Sequence, residues 1–177
     1  MKKFVILDCT LRDGGYYNNW NFNLDLIQDY INSLNSTKIK FIELGFRFKD
    51  DVKTKGLTAY TEDSLINKLK IPRDIKLGIM INASDLLDKT KSNFDLKGLK
   101  KILPLNSAKK IHFIRVACHH EEVFKLSFFF QYLKKFKIKI FINIMQISEI
   151  KREKLIDKYH KNIGFFRPKK SVGILRF

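Results

Sequence analysis

Phe4-Val5-Ile6-Leu7-Asp8-Cys9-Thr10-Leu11-Arg12-Asp13-Gly14-Gly15 is the stretch whose reading decides the fold. An apolar run passes into Asp, Thr, Arg and Asp just before a glycine pair. Charges set in apolar surroundings are costly unless they find partners or change protonation. At the strand period of two, Asp8, Thr10 and Arg12 share one face, and Val5, Leu7, Cys9 and Leu11 share the other. The expectation is a strand that packs its apolar face on helices and aims its polar face into a site.

The same pattern returns along the chain. Residues 39–46 read as a second strand, with Glu43, Gly45 and Arg47 on one parity and Ile42, Leu44 and Phe46 on the other. Residues 76–82, 111–117 and 138–147 supply three more strands, carrying Asn82, Arg115, Asn143 and Gln146 towards their C-terminal ends. Between them lie helical stretches. Asn23 is placed to cap a helix to about residue 34, and residues 61–71, 94–103, 121–136 and 148–161 read as further helix, with residues 14–21 and 49–60 as loop. The strands begin near residues 4, 40, 76, 111 and 138, one helical stretch apart. Strands alternating with helices at that interval predict βα units on a parallel sheet.

An open doubly wound sheet and a TIM barrel both satisfy this pattern. The barrel is favoured because every strand brings a polar group to its C-terminal end, where barrel sites are built. An open sheet concentrates its chemistry at one switch point, and the chain has no G-x-G-x-x-G or Walker loop. Eight units need about 250 residues. The 177 residues here give five units, so the fold class is α/β of TIM-barrel type, incomplete. Residues 1–163 form the expected partial barrel, and 164–177 a basic tail, for which an aberrant end is one reading.

Composition sets the class of partner. With 45% hydrophobic and 30% charged residues the chain is globular rather than disordered. No apolar run approaches the roughly 20 residues of a membrane span, and no cleavable leader is apparent, so the expected setting is cytoplasmic with no membrane partner. The net charge of +17 comes from lysines spread over the predicted helix surfaces, which does not single out nucleic acid as a partner. Cys9 and Cys118 form no C-x-x-C pair and read as two reduced core thiols on apolar strand faces.

The presumed catalytic face therefore gathers Asp8, Arg12, Asp13, Glu43, Arg47, Asn82, Arg115, His119, Asn143 and Gln146. Carboxylates bind hard divalent cations, and arginines grip a carboxylate or steady an enolate oxygen. The combination reads as metal-assisted chemistry on a small oxo acid.

Leu7-Asp8-Cys9-Thr10-Leu11-Arg12-Asp13-Gly14, together with Phe41-Ile42-Glu43-Leu44-Gly45, resembles the DRE-TIM metallolyases over roughly residues 3–147. That superfamily holds HMG-CoA lyase, isopropylmalate and homocitrate synthases, 4-hydroxy-2-oxovalerate aldolase and the pyruvate carboxyltransferase domain. The resemblance implies a carbon–carbon lyase, aldolase or acyltransferase acting on pyruvate-type 2-oxo acids through an enolate. It implies Asp13 as a ligand of Mg²⁺ or Mn²⁺, and Arg12 as the group that stabilises the enolate. Glu43 would orient Arg12 and the water around the metal. Asp8, Tyr16, Arg47, Asn82, Arg115 and Asn143 are the expected substrate contacts.

The chain departs from the family at three points. It has no H-x-H pair to complete the metal set, since His119 and His120 are adjacent and His112 reads as packed. Tyr16 stands where the aldolase branch carries a histidine base. Strands six to eight are missing. The expectation is impaired turnover unless a complementing chain or second copy supplies the rest. The alternative is a non-catalytic barrel fragment that associates with another chain.

Overall fold

The structure is a computed structural model of the 177-residue chain, and it describes residues 5–87, 95–104, 110–133, 136 and 138–149. Among the described residues, five strands run parallel in the order β1-β2-β3-β4-β5: Leu7–Asp8, Phe41–Phe46, Lys76–Asn82, Phe113–Cys118 and Lys139–Ile144. The sheet curls into half of a barrel. Sequential order with parallel pairing is what successive right-handed βα units produce. The helices are α1 (Thr10–Asn18), α2 (Leu24–Ser33), α3 (Leu57–Tyr60), α4 (Asp63–Lys68), α5 (Leu96–Ile102) and α6 (Ser127–Leu133). The anticipated helix at 148–161 and the tail at 164–177 lie outside the described residues, apart from a 3₁₀ turn at Ile147–Glu149.

The opening stretch is where the expected secondary structure fails. The strand ends at Asp8, because the Asp8 carboxylate accepts the Thr10 N–H at 2.8 Å and turns the chain. From there the period changes from two to 3.6, and the residues expected to be strand and glycine loop form α1. Leu11, Arg12 and Gly15 are the buried residues of that helix. Arg12 thus reaches the interior from a helix, not from a strand face. The loop expected at 49–60 also contains a helix, α3. The Asn23 cap forms as expected, with its side chain accepting from Leu26 N at 2.8 Å.

The sheet separates two packing regions. Ile42, Leu44, Leu77, Ile79, Ile81, Ile114 and Val116 alternate onto the outer face, where Ile27 and Ile31 of α2 and Phe129 and Leu133 of α6 join one buried cluster. Each such side chain stabilises the fold by roughly 1.5–3 kcal/mol. The inner face carries rows set by strand register. Glu43, Gly78, Phe113 and Lys139 lie side by side, then Phe46, Met80, Arg115 and Phe141, then Asn82, Ala117 and Asn143.

A bulge in β2 decides which side chains join those rows. Glu43 pairs with Gly78, yet Phe46, three residues on, pairs with Met80, two residues on. The extra residue swaps the parity, so Phe46 shares the face of Glu43 and Arg47 goes to the other. Simple alternation had assigned them the opposite way. No described helix is long and apolar enough to cross a membrane.

Candidate active site

Glu43 is the centre of the inner face. Its side chain is fully buried, and its Oε1 accepts from Arg12 Nε at 2.7 Å and from Arg115 Nη1 at 3.0 Å. Oε2 of the same carboxylate is buried and takes no hydrogen bond among the described residues. β2 delivers the carboxylate, β4 delivers Arg115, and α1 delivers Arg12. Burial raises the Glu43 carboxyl above its usual range, and the Arg115 and Arg12 charges pull against that rise. Burial likewise works against the Arg12 charge, but Glu43 and then Asp13 more than offset it, and the guanidinium is held more firmly protonated. Two guanidiniums on one carboxylate leave positive charge in excess at the innermost level.

Asp13 sits one residue further along α1 and forms an ion pair with Arg12 Nη1. Its side chain is 60% exposed, so it stands at the solvent edge of the buried cluster. Tyr16, one turn on, is exposed and lies edge-on to Trp20, with ring centroids 4.9 Å apart. Asn82 and Asn143 are part-exposed in the row beyond Arg115, separated by Ala117.

Two expected substrate contacts sit elsewhere. Asp8 pairs with Ile42 rather than with an inner-face residue, and its carboxylate accepts the Tyr30 hydroxyl of α2 at 2.6 Å. Burial, followed by that bond, raises the Tyr30 pKa, so the phenol stays a donor. Asp8 therefore joins strand to helix. Arg47 donates to Thr61 O at 3.0 Å, Ile102 O at 3.2 Å and Asp63 Oδ1 at 2.8 Å, binding α3, α4 and α5 to the end of β2. The bulge is the reason it misses the site. His119 and Gln146 follow β4 and β5, and their polar contacts are local, to Glu122 and Glu149. His112 is exposed rather than packed, and its Nδ1 accepts from Leu77 N at 3.2 Å.

Three residues of the cluster escaped the sequence reading. Cys9 is not an outer-face core thiol: it precedes α1 and its sulfur accepts from Arg115 Nη1 at 3.3 Å. Burial and then the Glu43 charge push its thiol up to about 11. Phe46 was hidden by the bulge. Trp20, whose indole N–H donates to Arg12 O at 2.9 Å, lies in a stretch expected to be loop.

Among the described residues no three His, Cys, Asp or Glu side chains converge, and the one carboxylate at the edge, Asp13, is paired with Arg12. Asp13 alone does not make a metal centre, which ordinarily collects several oxygen ligands.

No family model matches the chain, and no curated protein does. Among solved structures, the N-terminal domain of a candidate aldolase from Bacteroides vulgatus superposes with a TM-score of 0.65 at 29% identity. That match covers 88% of this chain and 51% of the other. The chain is similar to the DRE-TIM metallolyases. An HMG-CoA lyase from Bacillus subtilis shares the fold at a TM-score of 0.61 and 13% identity, over 93% of this chain and 56% of that one. An HMG-CoA lyase from Acinetobacter baumannii, solved with coenzyme A and 3-methylmalate, does so at 0.56 and 16%, over 91% and 55%. The chain spans about half the length of these three structures, and its fold is of the lyase and aldolase type.

Proposed function

We propose that this chain carries the enolate-stabilising part of a carbon–carbon lyase or aldolase that acts on small, pyruvate-type 2-oxo acids. The observation that supports the reading is the pair of guanidiniums, Arg12 and Arg115, held by one buried carboxylate. A 2-oxo acid carries a carboxylate and a carbonyl oxygen that becomes negative when the adjacent carbon–carbon bond breaks. Fixed cationic donors in a water-poor site favour that charge and need little reorganisation as it forms. Arg12 faces the oxyanion, and Glu43 orients both arginines from behind. Arg115, Asn82 and Asn143 line the same face and contact the rest of the substrate, while Tyr16 closes its edge.

The reading includes a divalent cation, Mg²⁺ or Mn²⁺, for which Asp13 is the ligand this chain supplies. Such an ion would polarise the substrate carbonyl. The described residues do not complete its coordination, so the remaining ligands belong to other residues or to a complementing chain. The expected behaviour is little or no turnover by this chain alone. The assay is release of pyruvate from a 4-hydroxy-2-oxo acid with Mn²⁺ or Mg²⁺ present. Brisk metal-dependent release by the isolated chain, abolished in Asp13→Ala, would overturn the expected impairment while supporting the assignment of Asp13. Release that survives unchanged in Arg12→Lys would remove the enolate role of Arg12.

A second reading is favoured by the sheet edges. Among the described residues, the outer edges of β1 and β5 have no strand beside them. On this reading the chain serves as a barrel fragment that binds another chain, without turnover of its own.

A further inference from the structure

The chain has a single tryptophan, and it is placed against Arg12. α1 ends in two successive non-glycine residues in the left-handed region, Asn19 at φ 55° and Trp20 at φ 58°. Both of their backbone N–H groups reach Gly15 O, the Trp20 bond being 2.9 Å. Residues with a Cβ rarely take that conformation, and two in sequence persist only where the surroundings fix them. Here they are fixed from α3: Gly56 N donates to Asn19 O at 2.8 Å and Thr58 Oγ1 to Trp20 O at 3.2 Å.

The result is a chain folded back so that the indole lies against its own helix. Trp20 is 5% exposed, and Gly15 is the residue it packs on, where any Cβ would strike the ring. Its Nε1 donates to Arg12 O at 2.9 Å. Its ring meets Phe46 edge-on at 5.5 Å, and the Phe46 ring in turn lies 5.8 Å from the Arg12 guanidinium carbon. One aromatic pair therefore holds Arg12 at both ends, main chain and charged head. The bulge of β2 is what brings Phe46 to this face.

We infer that Trp20 is a positioning residue for Arg12, acting through its indole hydrogen bond and through Phe46 to fix the guanidinium on Glu43. The functional weight of this rests on the reading of Arg12 as the group that faces substrate, but the positioning itself does not. The test is therefore made on the full chain without turnover. In wild-type protein the Arg12 Nε–H resonance, assigned by its loss in Arg12→Lys, is expected to be shifted and slow to exchange. In Trp20→Phe, which keeps a ring but removes the donor, that resonance should move and exchange roughly tenfold faster, the size of one net hydrogen bond. The Arg47 resonance, whose partners lie away from Glu43, should stay in place. A general loosening would move both, and an unchanged Arg12 signal in a folded Trp20→Phe variant would overturn the proposal. Should that variant fail to fold, Phe46→Leu is read by the same signal with the same two outcomes. In wild type the lone indole N–H must itself be protected from solvent, and fast exchange there also overturns it. Titration with pyruvate or oxalate is a separate arm. Absence of any shift at Arg12 counts against the substrate reading and leaves the positioning intact.

Discussion

Glu43 shows how one residue can organise a site that its sequence neighbours do not reveal. A buried carboxylate is tolerated because Arg12 and Arg115 share its oxygen. The sequence reading found all three residues from their types and their places near strand ends. It found them for a partly mistaken reason in the case of Arg12, which was given to a strand and belongs to α1. The cysteines carry a prediction at this scale. Burial pushes Cys9 up to about 11 and Cys118 up to about 12, from an ordinary 9.0. At pH 8 a shift of two units leaves about a hundredfold less thiolate than in the unfolded chain. Alkylation of the native protein is expected to be slowed at least that far for both thiols, and to match the denatured rate once the fold is lost. Rapid native labelling of Cys9 at pH 8 would show that burial and the Glu43 charge do not hold its thiol protonated.

At the scale of elements, short helices need their caps. α5 has only seven residues, too few to be stable by propensity, and Asp95 accepts from Gly98 N at 2.8 Å at its start. Asp95 also pairs with Lys49 at 2.6 Å, tying α5 to the segment after β2. The Gly98 N–H and then Lys49 hold its carboxyl below the usual 3.8. A depressed carboxyl stabilises the fold above 3.8, and that stability is lost as pH falls through the folded value. Asp95→Ala should cost about 1 kcal/mol near neutrality. Asp95→Asn keeps the cap and should flatten the acid limb of the stability curve. Thermal unfolding across pH 2–7 checks both, and identical acid limbs in wild type and Asp95→Asn would count against the assignment. Caps of this kind were legible in sequence, as Asn23 shows. The β2 bulge was not, because nothing in Phe41-Ile42-Glu43-Leu44-Gly45-Phe46 marks the residue that will be skipped. Gly45 is the one hint, lying so close to Thr58 O that no side chain would fit.

At the scale of the whole molecule, the outer face of the sheet is covered, and among the described residues no strand lies beside its two edges. β5 offers a six-residue edge, with Ile140, Ile142 and Ile144 on one face, and β1 offers two residues. Backbone donors and acceptors left along an edge invite pairing with another strand. The expected outcome at micromolar concentration is reversible self-association, or tight binding of a polypeptide that supplies further parallel strands. Sedimentation velocity measures the first directly. A stable monomer throughout, with no response to such a polypeptide, would remove the fragment reading. The lysine-rich surface bears on solubility in such experiments, since net charge opposes collapse of copies onto one another.

What the sequence by itself determined is the succession of βα units and the parallel half-barrel, with Arg12 and Glu43 among the residues it picked out by type. Hydrophobic period and residue type are local properties, and five repeats of one pattern leave little freedom of topology. What only the tertiary structure decided is the direction each polar group faces. Asp8 turned away from the site because its carboxylate met a backbone N–H two residues on. Arg47 turned away because β2 skips a residue, and the same skip placed Phe46 beneath Arg12. Cys9 and Trp20 joined the site through contacts with residues distant in sequence or through a backbone conformation that no pattern announces. Alternation predicts facing only while the strand persists without interruption. In the opening stretch the strand lasts two residues, and the helix that follows is what carries Arg12 to Glu43 and leaves Asp13 at the solvent edge.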